Sequence, residues 1–295
     1  MKTLTIFTPT YNRAHTLERT YQSLCRQTCK DFEWLIIDDG STDNTAHIVE
    51  KWINDANFKI RYIHKDNGGL HTGYNVAIEN INSELCVCID SDDFMPADGV
   101  GKIVEFWGKN KSKNVAGILG LDFTIDNKPI GGYFDDNIKT LRIIELSSKY
   151  KHFGDVKVVH RTTLLKEVAP MPTFDCEKNF NPIYLFHKID IKYPLLLLND
   201  NLCYVEYQAD GMSNNIFKQY IDSPKSFSEL RKLIMSRPDV NMSTKFRHAI
   251  HYVSAQIMIK NRNWLKESPQ KIITILASPF GILLYLYIKF KVRHA

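Results

Sequence analysis

Short apolar runs alternate with longer amphipathic stretches from the start of the chain as far as Trp107. The apolar runs predict strands over Leu4–Thr8, Phe32–Ile37, Phe58–His64 and Leu85–Ile89. The amphipathic stretches predict helices over Ala14–Arg26, Asp43–Ile53, Leu70–Ile81 and Ala97–Trp107. Strands separated by helices imply βαβ units. We therefore predict an α/β fold with a mostly parallel central sheet and helices on both faces.

The pattern is less regular after Val115. Further strands are predicted over Val115–Phe123 and Val156–His160, and two paired strands over Leu195–Leu198 and Cys203–Tyr207. The chain is predicted to be helical from Ile216 onward. These patterns predict one α/β domain over residues 1–210 and a helical extension over 211–295.

Composition narrows the class of protein. Hydrophobic residues make up 44% of the chain, charged residues 24%, and the formal net charge is +5, which is ordinary for a globular protein. The basic residues do not gather into a stripe and no zinc-finger spacing is present, so no nucleic-acid partner is expected. The six cysteines include no Cys-x-x-Cys pair, which favours a reduced, cytoplasmic protein.

Polar segments follow each of the first four predicted strands. In a parallel sheet, ligands bind beyond the carboxyl ends of the strands, so these segments are expected to meet at one edge. The strongest segment follows the fourth strand, where Asp90, Ser91, Asp92 and Asp93 stand in sequence. Carboxylates this close repel unless something positive binds, and Mg2+ commonly bridges one or two carboxylates to phosphates. The pattern predicts a metal–diphosphate site. The alternative is a structural role, because Asp clusters also occur at helix caps and in loops.

Two other segments offer ligand-binding groups. Asp39 follows the second strand and can accept an N–H from a base, or it can form a turn together with Asp38. After the third strand, Asn67–Leu70 opens a helix with paired glycines, which favours a phosphate or a hydroxyl. Asn75 lies further along that helix. Lys65 and Arg13 are either counter-charges for a diphosphate or solvated surface charges.

These segments together resemble the family 2 glycosyltransferases of the GT-A fold. The matching stretches are Thr8–Arg13, Ile36–Thr45, Asn67–Gly69 with Asn75, and Asp90–Asp93. The resemblance implies a nucleotide-sugar donor, usually a UDP-sugar, held with Mn2+ or Mg2+. It also implies that Thr8 and Tyr11 flank the base, that Asp39 accepts its N3–H, and that Asp92 binds the metal. The implied nucleotide-sugar site comprises Thr8, Pro9, Tyr11, Arg13, Asp39, Lys65, Asn67, Gly68, Gly69, Asn75, Asp90 and Ser91, with Asp92 and Asp93 as metal ligands.

Members of this type invert the anomeric centre, and the step requires a general base near the acceptor hydroxyl. The stretch Phe174–Lys178 resembles a Phe-Glu-Gly-Glu-Lys segment of one bacterial branch of the family. Glu177 is the preferred candidate for the base and Asp175 is the alternative. Cys176 stands where that branch has glycine, so the register of the base is open.

The apolar segment 272–293 is the last feature of the sequence. Its uncharged part, residues 272–288, is shorter than a bilayer span requires, and Pro279 and Gly281 are expected to interrupt it. Basic residues flank it, so the segment is expected to lie on a membrane surface. The alternatives are a helix that packs in the core and one that forms a homodimer.

The predicted function is an inverting, metal-dependent glycosyltransferase that acts on a glycan or lipid-linked acceptor in bacterial surface-polysaccharide synthesis. The cytoplasm, or the cytoplasmic face of the inner membrane, is the expected location. The alternatives are a sugar nucleotidyltransferase and a non-catalytic module that binds a glycan or a partner enzyme.

Overall fold

The computed structural model describes residues 2–150, 152, 154–206 and 215–294. The strands are β1 (Leu4–Thr10), β2 (Phe32–Asp38), β3 (Lys59–His64), β4 (Leu85–Cys88), β5 (Gly117–Thr124), β6 (Thr140–Leu141), β7 (Val156–Arg161) and β8 (Leu195–Val205). The helices are α1 (Ala14–Cys25), α2 (Thr45–Asp55), α3 (Leu70–Asn80), α4 (Gly99–Asn110), α5 (Ile143–Ser148), α6 (Thr162–Val168), α7 (Ile183–Asp190), α8 (Ile216–Asp222), α9 (Pro224–Ser236), α10 (Met242–Ile259), α11 (Trp264–Glu267) and α12 (Lys271–Arg293).

All the described strands join one eight-stranded sheet in the order β3-β2-β1-β4-β7-β5-β8-β6. The first four neighbours run parallel, as the alternation of strands and helices predicted. β7 is antiparallel to both β4 and β5, whereas β5 and β8 are parallel. The sheet is therefore mixed, with its parallel half formed by the first four strands.

Alternation along the strands explains why helices cover both faces. Successive side chains of a strand point to opposite faces. Leu4 and Ile6 of β1 belong to the core cluster that includes Leu17 of α1. The neighbouring Phe7 instead meets Tyr74 of α3, with ring centroids 5.0 Å apart. The same cluster on the first face takes in apolar residues of α2 and α4, so α3 covers the face opposite to these three helices.

The prediction of two paired strands near residue 200 was wrong. Leu195–Val205 is one strand that pairs with β5 in parallel, with register shifts around Leu121. The polar residues Asn199, Asp200 and Asn201 lie at this irregularity within the strand. A bulge accommodates such residues without ending the strand.

The chain divides into two compact units. The sheet unit comprises Met1–Gly68, Thr72–Pro170 and Lys192–Glu206, and the helical unit comprises Gly69–His71, Met171–Ile191 and Tyr207–Ala295. The helical unit has its own core, in which Tyr252 and Val253 of α10 pack with Ile273 and Ala277 of α12. The predicted domain boundary at residues 210 and 211 lies outside the described residues.

Candidate active site

The strand order places the polar segments at a topological switch point. β1 lies between β2 and β4, and all three strands are parallel. From β1 the chain moves to β2 and β3 on one side, whereas β4 adds on the other side. In open α/β sheets, ligands bind outside the carboxyl ends of strands at such a point. The segments after β1, β2 and β4 start from this edge.

Asp39 is the centre of one group of polar residues at this edge. Its carboxylate is buried and receives an ion pair from Lys65. The backbone N–H of Gly68 donates to Oδ1 at 3.0 Å, and the side chain of Asn67 donates to Oδ2 at 3.2 Å and to the backbone carbonyl at 2.7 Å. Lys65 also donates to Thr72 at 2.9 Å. The structure thus brings together four residues that the sequence assigned to the nucleotide site, namely Asp39, Lys65, Asn67 and Gly68. Both oxygens of the Asp39 carboxylate accept hydrogen bonds from the other three.

Two neighbouring polar side chains form hydrogen bonds within the protein. The Thr8 hydroxyl donates to the carbonyl of Ile89 at 2.7 Å and accepts from Trp34 at 2.9 Å, and Thr8 is fully buried. Asp38 is also fully buried and accepts from the backbone N–H of Ser41 at 2.8 Å. Thr8 therefore ties β1 to the end of β4, and Asp38 shapes the turn that leads out of β2.

The acidic segment forms a turn directly after β4. The N–H of Asp93 donates to the carbonyl of Asp90 at 3.0 Å, which closes the turn. Asp90 is exposed, whereas Asp92 is half-buried. Burial and the negative charge of Asp90 raise the pKa of Asp92, while Arg13 and Arg19 oppose this effect. A carboxylate whose pKa is raised by the negative charge of its neighbour lies in a position that favours a cation.

Asp93 differs from Asp90 and Asp92 because it is buried and faces a cation of the protein. Lys157 of β7 places its ammonium 3.5 Å from Asp93 and 3.6 Å from Asp122 of β5. All three side chains are at least nine-tenths buried. Burial raises the pKa of Asp93 to about 8 and that of Asp122 to about 6, although Lys157 opposes both shifts. One ammonium balances one carboxylate, so the second carboxyl group holds its proton more firmly.

Helix α1 holds the backbone of the acidic turn. Arg19 donates to the carbonyl of Asp92, and its guanidinium lies 4.8 Å from the ring centroid of Phe94. Thr20 donates to the carbonyl of Asp93 at 2.7 Å, and Ser23 accepts from the N–H of Met95 at 3.2 Å.

Neither these α1 residues nor Lys157 and Asp122 were predicted from the sequence. A signal was present, because Lys157 stands between two valines of β7 and shares a face of the strand with Val159. A lysine on a face that is buried needs a charged partner.

The remaining predicted residues of the sheet unit differ in exposure. Tyr11 is 48% exposed and presents a ring to solvent. Arg13 and Asn75 are half-buried, whereas Pro9 and Ser91 are buried. Tyr11 is thus the residue of this group with a large exposed aromatic surface.

Glu177 lies in the helical unit and is bound at the start of α9. Its carboxylate accepts from the backbone N–H groups of Lys225 and Ser226 at 2.9 and 2.8 Å, and from the Ser226 hydroxyl at 2.7 Å. The first N–H groups of a helix have no partner within the helix, and a negative charge there is favourable. Pro224 starts α9 and has no N–H to satisfy. Glu177 is therefore an anchor between its loop and this helix.

The other residues of this loop have different environments. Asp175 is exposed, and Cys176 has a φ of 65°, in the left-handed region that glycine favours. Gly69, at a φ of 91°, also belongs to the helical unit, where a Cβ would lie 1.9 Å from the carbonyl oxygen of Lys178. Gly69 is thus required for packing against the loop that carries the candidate bases.

Among the described residues, no three His, Cys, Asp or Glu side chains gather into a metal cluster. A cation that bridges a diphosphate does not require one, because Mg2+ completes its shell with phosphate oxygens and water. Asp90 and Asp92 offer the hard oxygen donors that such a cation selects. Asp90 and Asp92 therefore fit a divalent cation. Asp93 forms an ion pair with Lys157 instead.

Comparison with known proteins identifies the class. Residues 5–127 match the model of glycosyl transferase family 2. The chain is 24% identical to the poly(ribitol-phosphate) beta-N-acetylglucosaminyltransferase TarS of Staphylococcus aureus over 242 residues, which are 79% of this chain and 40% of TarS. It is 33% identical to chondroitin synthase of Pasteurella multocida over 109 residues, which are 37% of this chain and 11% of that protein. The chain thus spans less than half the length of either relative.

Solved structures show the same fold. The crystal structure of S. aureus TarS 1-349 in complex with UDP-GlcNAc aligns with a TM-score of 0.67 at 17% identity, covering 100% of this chain and 92% of that one. The mannosyltransferase PcManGT from Pyrobaculum calidifontis, in complex with GDP-Man and Mn2+, aligns with a TM-score of 0.57 at 15% identity, covering 95% and 73%. The predicted GT-A fold is thereby confirmed, and the match over residues 5–127 agrees with the predicted resemblance to family 2.

Proposed function

We propose that this protein is an inverting glycosyltransferase that moves a sugar from a UDP-sugar to a glycan or a lipid-linked acceptor. The match of residues 5–127 to family 2 supports glycosyl transfer. The complex of TarS with UDP-GlcNAc supports a UDP-sugar as the donor. The bacterial relatives named above, which act on poly(ribitol phosphate) or make chondroitin, support a role in surface-polysaccharide synthesis. We place the reaction in the cytoplasm, at the inner face of the membrane.

The observation that carries this proposal is the fixed Asp39 carboxylate on the same sheet edge as the acidic turn. An acceptor held by Lys65, Asn67 and Gly68 is prepared to receive the N3–H of uracil. The exposed ring of Tyr11 is suited to stack on the base. In this proposal Thr8 supports the site from inside the sheet and does not touch the nucleotide.

We further propose that Asp90 and Asp92 hold Mn2+ or Mg2+ together with the diphosphate of the donor. When bound, the metal offsets the charge that grows on the departing UDP. Arg13, whose charge acts on Asp92, is suited to share this task on the phosphate side. Asp93, the second ligand predicted from the sequence, acts in this proposal as an anchor through Lys157.

For the general base we propose Asp175. The base must accept a proton from the acceptor hydroxyl in the transition state. The oxygens of Glu177 already accept three hydrogen bonds from Lys225 and Ser226. Protonation of Glu177 would weaken these bonds at the N-terminus of α9. Asp175 is two residues away and exposed. Glu177 then acts as a positioning residue for the loop.

A donor panel tests the function directly. UDP-, GDP- and dTDP-sugars are added with Mn2+, and thermal stability and the released product are measured. A UDP-sugar should stabilise the protein by mass action, and UDP should be released, slowly by hydrolysis or faster with an acceptor glycan. The Asp92→Asn variant should lose about 100-fold or more in turnover. The matched control Asp98→Asn changes an exposed carboxylate that pairs with Lys102, and it should keep normal turnover.

Three other outcomes would contradict parts of this proposal. Release of pyrophosphate would show a nucleotidyltransferase. Stabilisation by glycans without any turnover of a nucleotide-sugar would show a non-catalytic module. Equal loss of turnover in both Asp variants would contradict the metal assignment.

A further inference from the structure

Helix α12 has two faces that differ completely in their surroundings. One face packs against α10, and its buried residues are Ile273, Thr274, Ala277, Gly281 and Ile288. A Cβ at Gly281 would lie 2.5 Å from the Cβ of Val253, so the two helices are in close contact at this point. The expected interruption at Pro279 and Gly281 was wrong, because the helix continues through both residues. Glycine there permits the close packing that fixes the helix in place.

The opposite face is apolar and exposed along the whole helix. Its residues are Ile272, Ile275, Leu276, Phe280, Ile282, Leu283, Leu286, Tyr287 and Phe290, all about half or more exposed. They recur at intervals of three and four residues, which places them on one strip of the helix surface. A helix of 23 residues is about 35 Å long. Exposed apolar surface of this extent marks an interaction site rather than ordinary solvent-facing surface.

The strip is flanked by basic residues. From Ser268 to His294 the sequence has no Asp or Glu, whereas Lys271, Lys289, Lys291 and Arg293 are all exposed. With about 100° of rotation per residue, Lys271 and Lys289 lie on one edge of the strip and Lys291 on the other. Lys289 and Lys291 lie 5.7 and 5.8 Å from the ring centroids of Tyr285 and Tyr287. Amphipathic side chains in this arrangement keep their charges in water while their apolar parts enter a hydrophobic layer.

We propose that the apolar strip of α12 docks in the plane of an anionic lipid bilayer, with its flanking lysines on the headgroups. Among the described residues, α12 is the one helix long and apolar enough to cross a membrane, with a mean hydropathy of 1.8. Its other face, however, is packed on α10, which carries Lys245, Arg247 and His248. A spanning α12 would draw these polar groups into hydrocarbon at high cost. An in-plane orientation buries the strip and leaves α10 in water.

A second copy of the chain is the competing occupant, and charge disfavours it. An isologous dimer buries the same strip from both protomers. The basic residues occur at both ends of α12, so either relative direction of the two helices would bring lysines of like charge together. An anionic surface instead attracts each of these basic residues.

Vesicle sedimentation with the full chain tests this docking. Vesicles of phosphatidylcholine with about 30% phosphatidylglycerol should bind the protein at low salt, and pure phosphatidylcholine should bind it much less. The double variant Leu276→Glu/Leu283→Glu should reduce binding at least tenfold, which corresponds to about 1.4 kcal/mol. The matched control Ile53→Glu/Ile125→Glu changes two exposed apolar residues elsewhere and should bind like the wild type. Circular dichroism and thermal unfolding verify that each variant is folded.

Three results would overturn the proposal. The first is equal binding by wild type and the α12 variant, or no binding of the wild type to anionic vesicles. The second is a stable dimer by light scattering that the α12 variant abolishes while vesicles are ignored. The third is membrane association that resists alkaline carbonate, which would show a spanning helix. UDP release from the donor in solution is measured in parallel, so failure to dock and failure of the proposed function are separate outcomes.

Discussion

The ammonium of Lys157 lies 3.5 Å from a carboxylate oxygen of Asp93, and both side chains are buried. This relationship divides the acidic run after β4 into two parts with different roles. Asp90 and Asp92 remain accessible for a ligand, whereas Asp93 connects the turn to β7. At the last position of the run, the positive partner of the carboxylate is thus a lysine of the protein.

Loss of the Lys157 ammonium should destabilise the fold. Lys157→Met leaves Asp93 and Asp122 buried without a counter-charge, so the free energy of unfolding should fall by about 3 kcal/mol in urea titrations. Adding Asp93→Asn to this variant should restore part of the loss. The control Lys109→Met removes an exposed pair with Glu105 and should leave the free energy of unfolding nearly unchanged. Equal effects of the two lysine variants would contradict the role of Lys157.

The two carboxylates of the Phe174–Lys178 loop should separate by their effects. Glu177→Gln should lower the free energy of unfolding by about 1–2 kcal/mol, because α9 loses its charged N-terminal partner. Asp175→Asn should lower kcat about 100-fold or more with unchanged stability, because the base is lost. Turnover assays and urea titrations measure both variants. Normal turnover of Asp175→Asn, with inactive but fully stable Glu177→Gln, would make Glu177 the base.

Gly69 should tolerate no side chain. Gly69→Ala brings a Cβ to 1.9 Å from the carbonyl oxygen of Lys178 at a φ of 91°, so we expect a loss of more than about 2 kcal/mol. The matched control is Gly108→Ala in α4, where a Cβ meets no atom within 4 Å. This control should gain about 0.5–1 kcal/mol through helix propensity. Thermal unfolding of the two variants should therefore shift in opposite directions, and a shared direction would refute the account.

Replacing Cys176 by glycine, the residue at this place in the bacterial segment that Phe174–Lys178 resembles, should stabilise the protein. Its φ of 65° strains an L residue, so Cys176→Gly should raise the free energy of unfolding by about 0.5–1 kcal/mol. Cys176→Ser keeps the Cβ and should leave stability nearly unchanged. A decrease in the urea midpoint of the glycine variant would show that the thiol itself contributes to stability.

The helical unit should lose stability in mild acid. Burial and then the charge of Arg231 lower the pKa of His248 to about 2, and Arg231 Nη1 lies 3.2 Å from His248 Nδ1. An unfolded histidine has a pKa of about 6.5, so below this pH the unfolded chain binds a proton that the folded chain does not. Stability is therefore complete above pH 6.5 and falls as the pH decreases, by about 1–2 kcal/mol at pH 5.

Urea titrations across this range measure the effect. His248→Gln should flatten the dependence of stability on pH, even if the variant is less stable at pH 7. His15→Gln changes an exposed histidine and should keep the wild-type slope. An unchanged slope in His248→Gln would show that another group carries the acid sensitivity.

The sequence by itself determined the parallel half of the sheet and the segments that surround its edge. Strand and helix periods are local properties, and the carboxyl ends of parallel strands meet wherever such strands pair. This is why Asp39, Lys65, Asn67 and Gly68 were assigned to one site before any contact was known. The order of the motifs also sufficed to indicate the family.

Only the tertiary structure decided which polar side chains bind other residues of the protein and are therefore not available to a ligand. Asp93 and Glu177 are indistinguishable from their acidic neighbours in the sequence, yet one faces Lys157 of β7 and the other starts α9. Each partner is tens of residues away along the chain, and no local pattern encodes such a pairing. Likewise, the apolar composition of α12 did not reveal which face is exposed, because that depends on where α10 packs.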